Sequence, residues 1–171
     1  VLPELLRYIG PLQDALFGMF LADWRRQRGE APLRSVAIVD DAPAQPYLYP
    51  DFLLAAESFR SHEVDGVICD PRELSPAGGS LACQGRPIDL VYNRLTDFAL
   101  EQSSHAVLRE AYLGGAIVMT PHPRSHALYA DKRNLALLGD AAQLARWGAA
   151  PAVIDVLRAS IPPTTIVDVA H

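Results

Sequence analysis

Four polar residues that follow strand-like apolar runs are of types that bind charged ligands. Asp40 and Asp41 end the run at residues 35–39, and Asn93 and Arg94 end a later one. In open α/β sheets the ligand crevice lies beyond the carboxyl ends of the strands, so we expect these side chains to share one site. The paired carboxylates suit a metal or a substrate amine, or they cap the turn. Arg94 suits a two-pronged contact with a substrate carboxylate, or it forms a surface ion pair.

Lys132 is the only lysine among fifteen lysine and arginine residues. An ammonium group on a long stem suits a phosphate. This lysine follows a strand-like run at residues 116–119 and a loop broken by prolines, which predicts contact with a ligand at the sheet edge. The alternative is an Arg-rich coding bias that left one lysine on the surface.

His122 and His126 have the four-residue spacing of two metal ligands on a helix. Pro121 and Pro123 place that stretch in a loop, and no third ligand type clusters nearby, so we predict no metal site. The chain contains neither a glycine-rich phosphate loop of standard spacing nor a Gly-x-Ser-x-Gly nucleophile turn. No residue is therefore predicted to be catalytic.

Charge and hydropathy argue against two classes of partner. Half of the 171 residues are hydrophobic, the net charge is −5, and no basic stripe indicates nucleic-acid binding. The apolar runs are shorter than the roughly 18 residues of a membrane span. We therefore expect a cytoplasmic protein, in which Cys69 and Cys83 are buried thiols and not a disulfide. Both ends of the sequence look cut, which predicts a piece of a longer protein.

Seven apolar residues from Leu2 to Trp24 recur at three- and four-residue steps, the period of an amphipathic helix. Gly10 and Pro11 are predicted to break or kink this helix, and Gly29 to cap it. A helix with so apolar a face needs a covering partner. Two partners fit the pattern: the sheet of the same chain, or a second subunit in a homo-oligomer.

Strand and helix patterns alternate along the rest of the chain. Helical spacing predicts helices around residues 52–59, 105–113, 125–138, 141–147 and 151–159. Short apolar runs predict strands at residues 35–39, 64–69, 81–83, 88–92, 116–119 and 165–169, and residues 75–80 have the composition of a loop. Gly85 permits a tight hairpin between the third and fourth of these strands.

This alternation predicts an α/β fold. We expect a Rossmann-like, mostly parallel sheet with one β-hairpin and flanking helices, preceded by the long N-terminal helix. The chain divides into an N-terminal helical segment at residues 1–34, an α/β domain at residues 35–139 and a helical connection at residues 140–171.

The motifs resemble two families. Residues 35–41 (SVAIVDD) resemble the opening of a response-regulator receiver domain, a non-enzymatic signalling module, although Asn93 stands where that module has its phosphoaccepting Asp. Over residues 35–167 the ordered set resembles the N-terminal, pre-ATP-grasp region of ATP-grasp carboxylate–amine ligases, especially the glutathione synthetase-like and glutathionylspermidine synthase-like members. That set comprises a strand with an acidic end, the hairpin, IDLVYNR at residues 88–94 and YADKRNLALL at residues 129–138.

The second resemblance implies the substrate-side domain of an ATP-dependent ligase. In that family ATP phosphorylates a carboxylate, and an amine then displaces the phosphate to form an amide. The resemblance implies that Lys132 reaches the nucleotide phosphates and that Asp40, Asp41, Asn93 and Arg94 shape the pocket for a small-molecule carboxylate or amine, with Asn93 in place of a family arginine.

The same resemblance implies partners that lie outside this chain. ATP and Mg²⁺ are expected in the intact parent protein, whose C-terminal ATP-grasp domain would follow His171 and carry the remaining phosphate and Mg²⁺ ligands. The chain alone is expected to be inactive and to bind ATP weakly or not at all.

Overall fold

The computed structural model describes residues 2–45 and 47–167, and the side chains of residues 12–45 and 47–167. The chain divides into two compact units, one ending at Pro123 and the other starting at Arg124. The described helices are α1 Leu2–Arg28, α2 Tyr49–Ser61, α3 Ala106–Leu113, α4 Pro123–Tyr129, α5 Arg133–Gly139, α6 Ala141–Arg146 and α7 Pro151–Ser160. The described strands are β1 Ser35–Val39, β2 Asp65–Cys69, β3 Leu74–Ala77, β4 Ser80–Cys83, β5 Arg86–Ile88, β6 Leu90–Asn93 and β7 Val118–Thr120.

The predicted fold class is confirmed in the first unit. A four-stranded, all-parallel sheet has the order β2-β1-β6-β7, and a separate antiparallel sheet has the order β3-β4-β5. Within the described ranges, no helix has the length and apolar character needed to cross a membrane. The predicted three-part division of the chain stays a prediction.

Both faces of the parallel sheet are covered, and β1 shows how. All five of its residues are buried. Val36 and Ile38 face a cluster built with α1 and α2, whereas Ala37 and Val39 face a second cluster built with α3 and the antiparallel sheet. A strand buried on both faces requires the continuous apolar run seen at residues 35–39.

Helix α1 covers the sheet of its own chain with Phe20 and Trp24, both buried. The ring centroid of Phe20 lies 5.1 Å from that of Phe59 in α2. One of the two predicted partners is thus found, while the homo-oligomer stays a prediction. The helix runs through Gly10 and Pro11 without interruption, so the predicted break is wrong, while the alternative of a kink stays a prediction. Glycine lacks the Cβ that normally clashes with a following proline ring, which makes helical backbone there less costly.

The predicted strand at residues 88–92 is divided between the two sheets at Asp89. Its carboxylate accepts hydrogen bonds from the backbone N–H groups of Arg34 and Ser35 at 2.8 and 3.2 Å, and its own N–H donates to Ser35 Oγ at 3.0 Å. Ile88 therefore stays in the antiparallel sheet, and Leu90 enters the parallel sheet beside β1. The predicted hairpin across Gln84 and Gly85 is confirmed as β4–β5.

Three of the four residues of β3 lie in the segment 75–80, whose composition predicts a loop. Pro76 lies in an edge strand, where a missing N–H is tolerated. Gly78 and Gly79 take positive φ angles of 55° and 86°, which gives the tight turn between β3 and β4. The antiparallel element is therefore three strands and not a single hairpin.

Cys69 and Cys83 form a disulfide, so the expectation of two thiols is wrong. Cys69 ends β2 and Cys83 ends β4, and both are fully buried in the cluster between the two sheets. Burial was predicted correctly. The pairing itself leaves no local signal, because the two cysteines stand fourteen positions apart on strands of different sheets.

The second unit is built from short helices, with α5, α6 and α7 in mutual contact. The predicted helix at residues 125–138 is two helices, α4 and α5. Between them, Asp131 Oδ1 accepts a hydrogen bond from the Arg133 N–H at 2.9 Å, at the first residue of α5. Residues 161–167 form no strand, so the predicted strand is wrong at residues 165–167, and residues 168 and 169 lie outside the described residues.

Candidate functional site

The order of the parallel strands fixes where a ligand crevice should lie. The crossover from β1 leads outward to β2 on one side, and the crossover from β6 leads outward to β7 on the other. The two directions diverge between β1 and β6, and such a switch point opens a crevice beyond the carboxyl ends of the two strands. Val39 pairs with Asn93 in that register, so Asp40 and Arg94 leave the sheet side by side.

Asp40 and Asp41 line a cleft of about 310 Å³ beyond β1, together with Phe52 and the loop that follows. Burial raises the pKa of Asp40 above its ordinary value of 3.8, although a hydrogen bond from the Asp41 N–H and the charge of Arg94 act in the opposite direction. That hydrogen bond joins Asp41 N to Asp40 Oδ1 at 3.0 Å. A carboxyl group with a raised pKa in a cleft is a feature of functional sites.

Arg94 is held over two aromatic rings beside the cleft. Its guanidinium carbon lies 5.7 Å from the ring centroid of Phe52 and 5.4 Å from that of Tyr92. Nη1 donates to Tyr92 Oη at 3.1 Å, and Nη2 lies 3.5 Å from Asp51 Oδ2. The Nε atom is buried with no hydrogen-bond partner among the described residues. The predicted surface ion pair thus exists, and the Nε donor takes no part in it.

Asn93 contributes to the shape of this edge. Its side chain is buried, and its Oδ1 accepts from the Leu95 N–H at 3.2 Å. Such a side-chain turn directs the chain out of β6. Its predicted contact with a substrate stays a prediction.

Lys132 belongs to the second unit, where it is exposed and immediately precedes α5. Its neighbours Asp131 and Arg133 form an ion pair with each other. The predicted approach of Lys132 to a nucleotide at the sheet edge stays a prediction.

A buried histidine between two carboxylates has no counterpart among the sequence motifs. His105 is 0% exposed; its Nδ1 lies 2.7 Å from Asp97 Oδ2 and its Nε2 lies 3.1 Å from Asp41 Oδ1. Asp41 stands on the connection between β1 and α2, whereas Asp97 and His105 stand on the connection between β6 and α3, so no periodic spacing links the three. The nearest sequence signal is the position of Asp41 directly after β1.

The neighbouring charges and hydrogen bonds shift the pKa values of His105 and Asp97 in opposite directions. Burial alone would lower the pKa of His105, but the hydrogen bonds and charges of Asp41 and Asp97 raise it above its ordinary value of 6.5. Burial acts to raise the pKa of Asp97, yet hydrogen bonds from the N–H groups of Gln102 and Glu101 and from His105 bring it below 3.8. Both neighbouring carboxyl groups therefore favour the protonated form of the histidine.

The loop that follows Asp41 is hydrogen-bonded to the residue that follows β2. Ala42 takes a positive φ of 45°, a region that costs a residue with a Cβ about 1 kcal/mol or more. Its N–H donates to Asp70 Oδ2 at 2.9 Å, directly after β2. Two hydrogen bonds from the Arg72 side chain hold the pKa of Asp70 far below its ordinary range. An ionised Asp70 thus fixes one wall of the cleft.

No three of the histidine, cysteine, aspartate and glutamate side chains in the described part of the chain are placed to hold a metal ion. The resemblance puts the Mg²⁺ ligands in another domain. Compared with known protein families and with curated proteins, the chain matches none. Function must therefore be inferred from the cleft itself.

The buried histidine predicts how stability varies with pH. Because the folded-state pKa of His105 is raised, its contribution is fully present below pH 6.5 and is lost as the pH rises through the folded-state value. We expect the free energy of unfolding, measured by urea titration, to fall as the pH rises above about 6.5 and then to level off. The variant His105→Gln should show no such fall. A wild-type curve that is flat or rises in this range would contradict the assignment.

Proposed function

We propose that the cleft binds a small molecule carrying an amine and a carboxylate, as the substrate-side domain of an ATP-dependent carboxylate–amine ligase. One observation carries the proposal: Asp40 and Arg94 leave two adjacent strands side by side at the switch point of the sheet. An anion and a cation at one crevice complement a ligand that bears both charges.

The residues that line the cleft and Arg94, which lies beside it behind Phe52, differ in what they offer. Asp40 and Asp41 present carboxylate oxygens, which accept hydrogen bonds from an ammonium group. Arg94 has a buried Nε donor without a partner among the described residues, and its contact with the exposed Asp51 is long at 3.5 Å. A ligand carboxylate would replace that surface pair with a charge-assisted contact at the outer end of the guanidinium.

The strand arrangement supports the ligase proposal over the receiver-like alternative. The ligase proposal requires antiparallel pairing across Gln84 and Gly85, and β4 and β5 pair in that way. A receiver needs five parallel strands without a hairpin, whereas the described residues contain four parallel strands. Asn93, at the end of β6, also lacks the carboxylate that a receiver phosphorylates.

Within the proposed ligase, the cleft and Lys132 have different roles. The cleft holds the substrate that supplies the amine or the carboxylate, and Lys132 is proposed to meet the phosphates of ATP. ATP with Mg²⁺ would supply the phosphoryl group that activates the carboxylate. The nucleotide would be held mainly by a C-terminal ATP-grasp domain.

Glycylglycine, which carries one ammonium and one carboxylate, is a suitable probe for this cleft. In nitrogen-15 NMR titrations of the whole chain it should shift the amide signals of Asp40, Asp41 and Arg94. The variant Arg94→Met is expected to bind it roughly tenfold or more weakly, because a charge-assisted hydrogen bond is lost. Arg86→Met is the matched control, since Arg86 lies on β5 and pairs with the exposed Asp65.

Three further probes separate the alternatives. Succinate and 1,4-diaminobutane each carry one kind of charge and should bind more weakly than glycylglycine. Unchanged affinity in Arg94→Met, or no response of the cleft to any probe, would rule the proposal out. A response centred on Asp40 and Asp41 to Mg²⁺ alone would instead favour a receiver-like module.

A further inference from the structure

Asp41, whose carboxylate lines the cleft, contacts a histidine that is buried beneath it and inaccessible to a ligand. His105 is fully buried, whereas the side chain of Asp41 is 44% exposed and lines the cleft. We propose that His105, protonated on both ring nitrogens, is a positioning residue that holds Asp41 in the orientation that receives the ammonium group of the ligand. The inference rests on the proposed function, since it concerns the same cleft.

Hydrogen-bonding chemistry requires the double protonation. An ionised carboxylate only accepts hydrogen bonds, and a neutral imidazole has one donor nitrogen and one acceptor nitrogen. Both ring nitrogens of His105 face carboxylate oxygens, at 2.7 and 3.1 Å. A neutral ring would turn a lone pair toward one of the two oxygens. The imidazolium donates to both.

Asp97 is the partner that keeps the ring in place. Its side chain is 10% exposed, and the oxygen that faces His105 also accepts from the Gln102 N–H at 2.9 Å. The shorter of the two histidine contacts is the one to Asp97. When His105 loses one proton, the remaining proton is therefore expected to stay on Nδ1. The lone pair on Nε2 then repels the carboxylate of Asp41, which loses the hydrogen bond that holds its orientation.

Other charged side chains lie on the segments around this group. Asp40 adjoins Asp41, and the turn Pro71–Glu73 packs against the turn that carries His105. The turn Pro71–Glu73 contributes Arg72, whose guanidinium is bound to Asp70 and also feels the charge of Asp41. On α3, Arg109 is exposed one helical turn after His105. The hydrogen bonds of the ring nitrogens go to Asp41 and Asp97 and to none of these other side chains.

A pH series separates the positioning role from two others. The probe is 4-aminobutyrate, which also carries one ammonium and one carboxylate. Its alkylamine, like that of lysine, titrates only near pH 10, whereas the α-amino group of glycylglycine titrates near pH 8. If His105 positions Asp41, the affinity of the wild-type chain for 4-aminobutyrate falls as the pH rises through the pKa of His105. If the histidine acted only through its charge, its deprotonation would make the cleft more negative and the affinity for an ammonium group would rise. If His105 were merely structural, the affinity would not follow its titration at all.

The experiment follows the ring nitrogens of His105 by nitrogen-15 NMR and measures 4-aminobutyrate binding in the same samples from about pH 6 to pH 9, a range that brackets a raised histidine pKa and in which this probe keeps its charges. We expect double protonation at neutral pH and a roughly tenfold loss of affinity across the titration. In His105→Gln, the affinity should be low and independent of pH. The wild-type series needs no variant, so a misfolded His105→Gln would not remove the test.

Each outcome has a defined meaning. A neutral His105 at the acidic end of the series, or an affinity that rises or stays level across its titration, overturns the positioning role while the proposed function stands. If the wild-type chain binds no 4-aminobutyrate at any pH, the proposed function fails and the inference fails with it.

Discussion

Replacing Gly66 with alanine is expected to destabilise the first unit by about 2 to 3 kcal/mol, although the change adds only one methyl group. Gly66 lies in β2 at the closest approach to α2. A Cβ built there would lie 2.7 Å from the carbonyl oxygen and 2.9 Å from the Cα of Ala56. Both atoms belong to the backbone of a buried helix, so a side-chain rotation cannot relieve the overlap.

The strand and the helix would have to separate, and that movement explains the size of the effect. Helix α2 covers β1 and β2 with a face that includes Phe52, Ala56 and Phe59, all buried. Moving α2 away from the sheet would loosen these contacts together. Urea denaturation followed by circular dichroism measures the expected change in the free energy of unfolding.

Gly18→Ala is the matched control for this substitution. Gly18 lies within α1, and apart from its neighbours and the backbone of its own helix no atom of the described residues lies within 4 Å of the position that an added methyl group would take. Alanine is the better helix former by about 1 kcal/mol, so the control is expected to be neutral or stabilising. Equal stability of the two variants would show that the approach of α2 to β2 is not tight.

The second large effect is expected from Asp97→Asn. It leaves His105 buried with one neutral partner in place of an anion. We expect a loss of about 2 to 3 kcal/mol at mildly acidic pH, below the cost of breaking a wholly buried pair because Asp97 is 10% exposed. The loss should shrink at alkaline pH, where the histidine of the wild-type protein is neutral and the pair contributes less.

Asp65→Asn provides the comparison for an exposed pair. Asp65 lies 3.4 Å from Arg86, and both side chains are largely solvent-exposed. Exposed ion pairs contribute about 0 to 1 kcal/mol, so this variant should remain near wild-type stability. If Asp97→Asn changed stability as little as Asp65→Asn, a protonated His105 between two carboxylates would be refuted.

The core of the fold was predictable because its signals are local. The run of Ser35 and four apolar residues predicted β1 with its observed bounds, and the spacing of Phe52, Ala55, Ala56 and Phe59 predicted the buried face of α2. The meeting of Asp40 and Arg94 was also predictable. Parallel neighbours end at one edge, so residues that follow two adjacent strands lie side by side whatever the loops do.

What the sequence could not show depends on contacts between distant segments. The approach of His105 to Asp41 spans 64 residues, and it depends on the loops after β1 and β6 as well as on the turn before α3. The disulfide depends on how one sheet folds over the other. Strand β3 was missed because Pro76, Gly78 and Gly79 are typical of loops, whereas its pairing with β4 comes from the partner strand.

Helix α1 has a bearing on how the protein can be shortened. Phe20 meets the ring of Tyr92 with 4.8 Å between centroids, and Tyr92 supports the guanidinium of Arg94. The first helix thus reaches the cleft through one aromatic ring, although no described residue of it lines the cavity beyond β1. A truncated chain that begins at β1 would lack Phe20, and Tyr92 would lose the ring that packs against it behind Arg94. A failure of such a truncated chain to bind a ligand would therefore say little about the native protein.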